Sequence, residues 1–332
     1  MTDTGPLFAS SGDLIADRRY HWALDHLARG DLAGAAHILA QTVEVAPCFA
    51  AAWFALGDIR DRLGDRSGAI AAFERARDAD PPDRHGAGLQ LARLGSGEPT
   101  PAMTEAYVRE LFDQYAARYD AALVERLAYR GPAILRDAVE AVMLGAGRKL
   151  HFGAMLDLGC GTGLAGAAFR ACVDWLVGVD LSPAMVARAA SKGLYDRLAT
   201  CDLQSFLAAE VANAARYHLV VAADVFAYLN DLGPVIAAIA GVLAPGGVLA
   251  FTVETYSGSG IKLLPTLRYA HGAAHVRGAV ENAGLPVAHW TEASVRTEKG
   301  ASVDGLVVVA RAFAAHFGES GNPVPGGSPR PA

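Results

Sequence analysis

The sequence predicts an α/β domain built on a parallel sheet, preceded by an all-α helical repeat region, and three observations carry that reading. The first hundred residues align with themselves at a fixed offset: Gly30-Asp31 with Gly64-Asp65, Gly34-Ala35 with Gly68-Ala69, and Pro47 with Pro81. Between about residues 150 and 256, apolar runs alternate with helical stretches, the pattern of strands covered on both faces. Between the first run and the first of those helices stands M-L-D-L-G-C-G-T-G-L-A-G, residues 155–166, a glycine-rich strand-to-helix turn that lets a ligand approach the backbone closely.

The self-alignment has the tetratricopeptide period of about 34 residues. Each unit reads helix, Gly-Asp turn, helix, Pro: HWALDHLARGDLAGAAHILAQTVEVAP, then AAWFALGDIRDRLGDRSGAIAAFERARDADP, the second copy being the stronger with Trp53, Leu56-Gly57, Ala69 and Phe73. About three repeats are normally needed to bury a continuous core. The partial third helix, HGAGLQLARLG, is therefore expected to cap the array or lean on the next domain. S-G-E-P-T-P, residues 96–101, reads as a linker. The expected domains are 1–97 (repeats), 98–316 (sheet domain) and 317–332, a Gly/Pro-rich tail expected to be disordered. Every motif of the turn-bearing region lies beyond the linker, so the repeats are expected to recruit a protein partner. Deletion of residues 1–97 is expected to leave a folded sheet.

Past the linker, TEAYVRELFDQYAARYDAALVERLAYRGPAILRDAVEAVML reads as two amphipathic helices broken at Gly131-Pro132. The strands are AMLDLG, DWLVGVD, YHLVVAADV and, after the turn L-A-P-G-G, GVLAFTVET. VAHWTEASVRTEKG and SVDGLVVVARA, joined by a Lys-Gly turn, predict a terminal antiparallel pair.

With 52% hydrophobic residues, a net charge of −6 and no Lys/Arg run, the chain lacks the field that gathers phosphates, and nucleic acid is not an expected partner. No stretch approaches the roughly 20 apolar residues of a spanning helix, and the first residues lack a basic segment followed by an apolar one. No membrane association and a cytoplasmic location are expected. Cys48, Cys160, Cys172 and Cys201 stand far apart without a C-x-x-C pair, which suits neither a disulfide framework nor a metal site; they are expected to be small buried hydrophobes.

The glycine turn can be read in two frames. From Gly161, G-T-G-L-A-G (Gly161, Gly163, Gly166) fits the dinucleotide fingerprint and would suit an NAD(P)-linked oxidoreductase. From Asp157, D-L-G-C-G-T-G places a carboxylate just before the turn, where a pyrophosphate is repelled and an ammonium group welcomed. Asp180, in V-G-V-D-L-S-P, suits ribose hydroxyls in either frame. The surroundings favour the second: C-D-L at Asp202, the L-A-P-G-G turn, and no Tyr-x-x-x-Lys pair or separate catalytic domain after the sheet.

The ordered set D-L-G-C-G-T-G, V-D-L-S-P-A-M, C-D-L and L-x-P-G-G resembles the class I S-adenosylmethionine-dependent methyltransferases over about residues 104–312. FDQYAARYDAALVERLAYRGPAIL and RYAHGAAHVRGAVENAGL are similar to bacterial methyltransferases with tetratricopeptide repeats in front, a group like the methyltransferase-like proteins of the Williams–Beuren region. The resemblance implies a Rossmann-like seven-stranded sheet with its last strand antiparallel and S-adenosyl-L-methionine at the carboxyl edge. It implies that Gly159, Gly161 and Gly163 pass under the methionyl part, with Asp157 orienting the turn or meeting the ammonium group through water. Asp180 would bind both ribose hydroxyls, Leu181, Met185 and Leu203 would sandwich adenine, Asp202 would meet its amino edge, and Ala223 would flank the methionyl chain.

Methyl transfer to a small-molecule or carrier-bound acceptor needs mainly positioning, with a base if the acceptor is a hydroxyl. The candidates at the mouth are Tyr115 and Tyr119, at i and i+4 in a segment expected to be a lid, His271 as general base, and Tyr228, four residues past Asp224. Asp224 itself is read as a cap. An Asn-Pro-Pro-Tyr motif is absent after the fourth strand, which favours hydroxyl, carboxyl or small amine acceptors. A non-catalytic cofactor-binding scaffold, with repeats that recruit a partner, is the alternative from a different class.

Overall fold

The two repeat units share the glycine that closes the first helix and the aspartate that caps the second. In the computed structural model, which describes residues 10–119, 129–298 and 301–313, helices α1 (Leu14–Ala28) and α2 (Leu32–Val45) form the first hairpin, α3 (Ala50–Arg62) and α4 (Arg66–Ala79) the second. Gly30 and Gly64 take left-handed φ values of 79° and 83°, closing α1 and α3. Asp31 and Asp65 then cap the next helices, each accepting a hydrogen bond from the N–H three residues on, at 2.9 Å in both. A Cβ on Gly57 would stand 2.8 Å from the Phe73 ring, so this glycine sets the close approach of α3 and α4. The third helix, α5 (Ala87–Arg93), packs Ala87 and Leu91 on Phe73 and Ala76 and covers the end of the array.

Helix α6 (Glu105–Tyr115), capped by the Thr104 hydroxyl, is wedged between the array and the sheet domain. On one flank, the Tyr107 ring fills the space over Gly86, where a Cβ would lie 2.7 Å away, and the Thr104 hydroxyl donates to the Asp83 carbonyl. On the other, the Asp113 carboxylate accepts from the Ser182 hydroxyl at 2.5 Å and the Ala184 N–H at 3.2 Å. The linker is tied down as well: Asn230 donates to the Thr100 carbonyl at 3.0 Å, and the Tyr269 hydroxyl donates to that of Pro101. The segment after residue 95 is thus a joint rather than a free tether. Gly131-Pro132 opens a helix, α7 (Gly131–Gly145), with proline in its first turn.

The main sheet runs β3 (Arg197–Thr200), β2 (Val173–Asp180), β1 (Phe152–Leu158), β4 (Tyr217–Ala222), β5 (Leu243–Tyr256), β11 (Gly305–Arg311), β8 (Val287–Glu292). The pairs from β3 to β5 are parallel, and β11 is antiparallel to both neighbours, so the expected reversed last strand is present. L-A-P-G-G does not precede β5 but lies within it, bulging where the register with β4 slips between Tyr217 and Leu219. Two short additions, β6 (Ile261–Leu263) and β7 (Tyr269–Gly272), extend the end of β5, and β9 (Thr297–Glu298) pairs with β10 (Ala301–Ser302). Alternation along the strands fills two cores. Leu156, Leu158, Val177 and Val179 face one side with α10 (Leu203–Ala212) and α11 (Gly233–Val242), while Met155, Leu176 and Leu219 face the other with α7 and α8 (Leu164–Phe169). Helices α9 (Pro183–Ser191) and α12 (Ala273–Asn282) complete the layers.

Cys160 and Cys172 are buried as expected, but Cys48 is exposed. Among the described residues no helix is long and apolar enough to cross a membrane, and no group of three or more His, Cys, Asp or Glu could hold a metal. The tail expected at 317–332 lies outside the described residues.

Candidate cofactor site and acceptor mouth

The turn between β1 and α8 places Gly159, Gly161 and Gly163 at φ 62°, 52° and 92°, left-handed values that other residues adopt at a cost. Their surroundings differ. A Cβ on Gly159 would strike Val225 at 2.6 Å, whereas one on Gly161 would meet only Tyr119, at 3.9 Å, so the turn is open on the Tyr119 side. Three of its backbone donors are committed: Cys160 N–H to the Val179 carbonyl at 2.9 Å, Gly161 N–H to Asp180 Oδ2 at 2.8 Å, and Gly163 N–H to the Cys160 carbonyl at 2.8 Å. A pyrophosphate held as the dinucleotide frame requires would need such donors free. Gly166, the third glycine of that frame, instead makes room for Tyr195, whose Cζ would stand 2.5 Å from a Cβ there.

Two strand-end acids flank the turn. Asp157 is 1% exposed, and burial raises its pKa to about 7 against the opposing Tyr195 hydrogen bond. Its Oδ2 accepts from the Tyr195 hydroxyl at 2.6 Å, while its buried Oδ1 has no partner among the described residues. Asp180 is also raised by burial, tempered by the Ser182 and Gly161 N–H groups that it accepts. A carboxylate has about four lone-pair positions. Asp180 uses Oδ2 for Gly161 and Oδ1 for Ser182, at 2.8 and 2.9 Å, with the Leu181 N–H also acting on it, which leaves acceptor capacity to spare.

On the β3 side, Asp202 caps α10 by accepting the Ser205 N–H at 2.9 Å. Burial pushes its carboxyl up, but the Ser205 and Gln204 donors prevail and hold it below the usual range. Leu181, just past β2, and Leu203, at the start of α10, are half-buried, and Met185 in α9 is fully buried. Ala223, half-buried, follows β4.

Aromatic rings line the mouth. Phe112 stands edge-on to both Tyr119 and Tyr228, with centroids 6.2 and 5.1 Å away. Tyr115 does not join them. Helix α6 ends at Tyr115, a turn follows, and the expected shared i, i+4 face is lost; Tyr115 lies under the Arg118 guanidinium instead, at 5.3 Å. Burial lifts the Tyr119 and Tyr129 phenols far above 10 and the Tyr228 phenol to about 12. His271 is also displaced from its expected place. It lies in β7 at 0% exposure, stacked on His275 with Nε2 3.3 Å from the Phe226 carbonyl, and burial lowers its pKa to about 4. A neutral, enclosed imidazole has no route to an acceptor at the sheet edge.

Sequence reasoning missed the charged lattice beside these rings. Asp224, at a left-handed φ of 61°, donates its backbone N–H to the Thr252 hydroxyl oxygen at 2.8 Å, and both its carboxylate oxygens accept from Arg296, at 2.5 Å. Arg296 also donates to Glu254, which takes a second guanidinium, Arg268, at 2.5 Å. Asp224 is therefore more than the cap it was read as. Charges alternate acid, base, acid, base across the loop after β4, the β8–β9 connection, β5 and the loop before β7. Only a positive φ at a non-glycine strand end could have hinted at this, and it is not legible in sequence.

Residues 156–249 match the methyltransferase domain family and residues 20–84 the tetratricopeptide repeat family. The chain is 40% identical over 91 residues to human methyltransferase-like protein 27, a match covering 27% of this chain and 36% of the length of that relative. Among solved structures, it is similar to magnesium protoporphyrin IX methyltransferase from Synechocystis PCC 6803 with bound S-adenosylhomocysteine (18% identity, 63% of this chain and 99% of that one, TM-score 0.47). It is also similar to the N-methyltransferase NodS from Bradyrhizobium japonicum WM9 in complex with the same nucleoside (21% identity, 54% and 86%, TM-score 0.42). The chain carries a methyltransferase domain, preceded by tetratricopeptide repeats.

Proposed function

We propose that the chain is an S-adenosyl-L-methionine-dependent methyltransferase acting on a small-molecule or carrier-bound oxygen or nitrogen acceptor, with the repeats offering a surface to a protein partner. The observation that carries the reading is the pair of strand-end carboxylates around a glycine turn with committed N–H groups. That arrangement suits a cationic nucleoside and opposes a pyrophosphate. The residues fit the cofactor: the orphaned Asp157 Oδ1 is a counter-charge for its ammonium group, Asp180 retains acceptor capacity for ribose hydroxyls, and the open side of Gly161 leaves room for the methionyl chain. Leu181, Met185 and Leu203 are assigned to the adenine faces, Asp202 to its amino edge, and Ala223 to the methionyl flank.

When bound, the cofactor supplies an electrophilic methyl group on a sulfonium. The protein's part is to hold the acceptor in line with it and to exclude water. Tyr119 and Tyr228 wall the mouth with phenols that burial keeps protonated, and these orient an acceptor as hydrogen-bond donors. Tyr115 is a rim residue and His271 a core residue in this account. A tritiated methyl donor incubated with the protein and a metabolite extract should yield a labelled product. Label that stays on the donor in every extract while S-adenosylhomocysteine binds normally would favour the scaffold reading.

A further inference from the structure

The Tyr195 side chain reaches from the loop before β3 into the underside of the cofactor turn. Its ring occupies a slot formed by three glycines of three different elements: Gly163 in the turn, Gly166 in α8 and Gly178 in β2. Cβ atoms built on them would lie 3.0, 2.5 and 2.7 Å from ring atoms. The contacts at Gly166 and Gly178 are closer than packed atoms tolerate, so these two glycines are needed for the ring to enter, and Gly163 borders the slot tightly. The loop that carries Tyr195 is itself pinned. The Asp196 carboxylate accepts from the Leu176 N–H at 2.7 Å and from Arg170 at 2.8 Å, and Arg170 also donates to the Leu194 carbonyl at 3.2 Å. The hydroxyl at the end of this fixed ring donates to Asp157 Oδ2 at 2.6 Å, a length typical of a charge-assisted bond.

The geometry points to Tyr195 as a positioning residue of the cofactor site, aligning the Asp157 carboxylate so that its other oxygen faces the cofactor's ammonium group. The inference rests on the proposed cofactor. It explains the third glycine of G-T-G-L-A-G as room for a ring rather than for the helix–strand packing of the dinucleotide frame. It also links binding to a proton. The groups facing Asp157 are Tyr195 from the loop, Cys160 in the turn, Asp180 on β2 and Tyr129 ahead of α7. Burial brings Asp157 to about 7, and the Tyr195 hydrogen bond opposes that rise. An ammonium group prefers the ionised acid, so affinity should climb as pH rises through this region.

Calorimetric titration with S-adenosylhomocysteine from pH 5.5 to 9 tests the assignment on the full chain. Tyr195→Phe keeps the ring and removes the donor. It should move the midpoint of the affinity profile to higher pH and weaken binding about tenfold at pH 7, as loss of a hydrogen bond to a charged group does. A purely structural ring would leave the midpoint where it is, and an unchanged midpoint with unchanged affinity overturns the proposal. Should Tyr195→Phe fail to fold, Asp157→Asn decides: a flattened profile supports the role and a retained pH step overturns it. Absence of binding by the unaltered chain at every pH would remove the cofactor reading itself and this inference with it.

Discussion

Replacing Asp180 with alanine removes a carboxylate that is 8% exposed and that holds two backbone donors, Gly161 N–H at 2.8 Å and Ser182 N–H at 2.9 Å. Two consequences follow at different places. On the cofactor side, a lost hydrogen bond to a charged group costs about 1.5–3 kcal/mol, or roughly ten- to over a hundredfold in affinity. On the protein side, two N–H groups are orphaned, each at about 1–3 kcal/mol, and the turn loses its anchor to β2. A compensating gain comes from no longer burying a charge, since burial raises the Asp180 pKa. Stability is therefore an ambiguous readout and affinity is the sharper one. Calorimetry with S-adenosylhomocysteine should show Asp180→Ala at least about tenfold weaker than the unaltered chain, with Asp180→Asn between them because one acceptor oxygen survives. A folded Asp180→Ala protein within twofold of the original affinity would refute the ribose assignment.

The remaining expectations are more local. Asp157, ordinarily near 3.8 and raised to about 7 in the fold, holds a proton that the unfolded chain has already released, so its contribution to stability is full below 3.8 and lost as pH rises through about 7. Asp157→Asn should erase that component from a series of melts between pH 4 and 8, and an unchanged pH slope would count against it. Arg296→Met leaves Asp224 and Glu254 buried without their shared cation and should lower the guanidinium midpoint by an amount equivalent to about 3–5 kcal/mol; an unaltered midpoint would show the lattice to be idle. His271, depressed to about 4, subtracts stability as pH falls from about 6.5 towards 4, where the unfolded chain takes up a proton first. Its imidazole resonances should titrate well below 6, and a midpoint near 6.5 would contradict its enclosure. Deleting residues 1–97 strips Gly86 from Tyr107 and the Asp83 carbonyl from Thr104. That fragment should be insoluble or weak in cofactor binding, and a soluble fragment of full affinity would restore the expectation of a separable domain.

The parts of this chain that were legible in sequence are those fixed by local chemistry. Asp31 and Asp65 recur because each caps a helix after a left-handed glycine, and such a device is written within five residues. Ser182-Pro183 announces α9 in the same way, the serine hydroxyl accepting the Met185 N–H at 3.1 Å. The reversed last strand followed from the motif resemblance. What failed depended on contacts remote in sequence. Tyr195 meets Asp157 across 38 residues and Arg296 meets Asp224 across 72, and neither lies in a recognisable pattern. Tyr115 and Tyr119 shared a helical spacing, but helix α6 stops between them. His271 matched the expected position along the chain while its ring turned into the core.

The nucleotide that the glycine turn accepts decides the chemistry, and thermal unfolding of the full chain with each candidate measures that directly. S-adenosylhomocysteine at a hundredfold excess over its dissociation constant should stabilise the native state by about 2.7 kcal/mol and raise the melting temperature by several degrees, because it binds the native state alone. NAD and NADP should leave the melting temperature unchanged. A shift with NAD or NADP and none with S-adenosylhomocysteine would contradict the account.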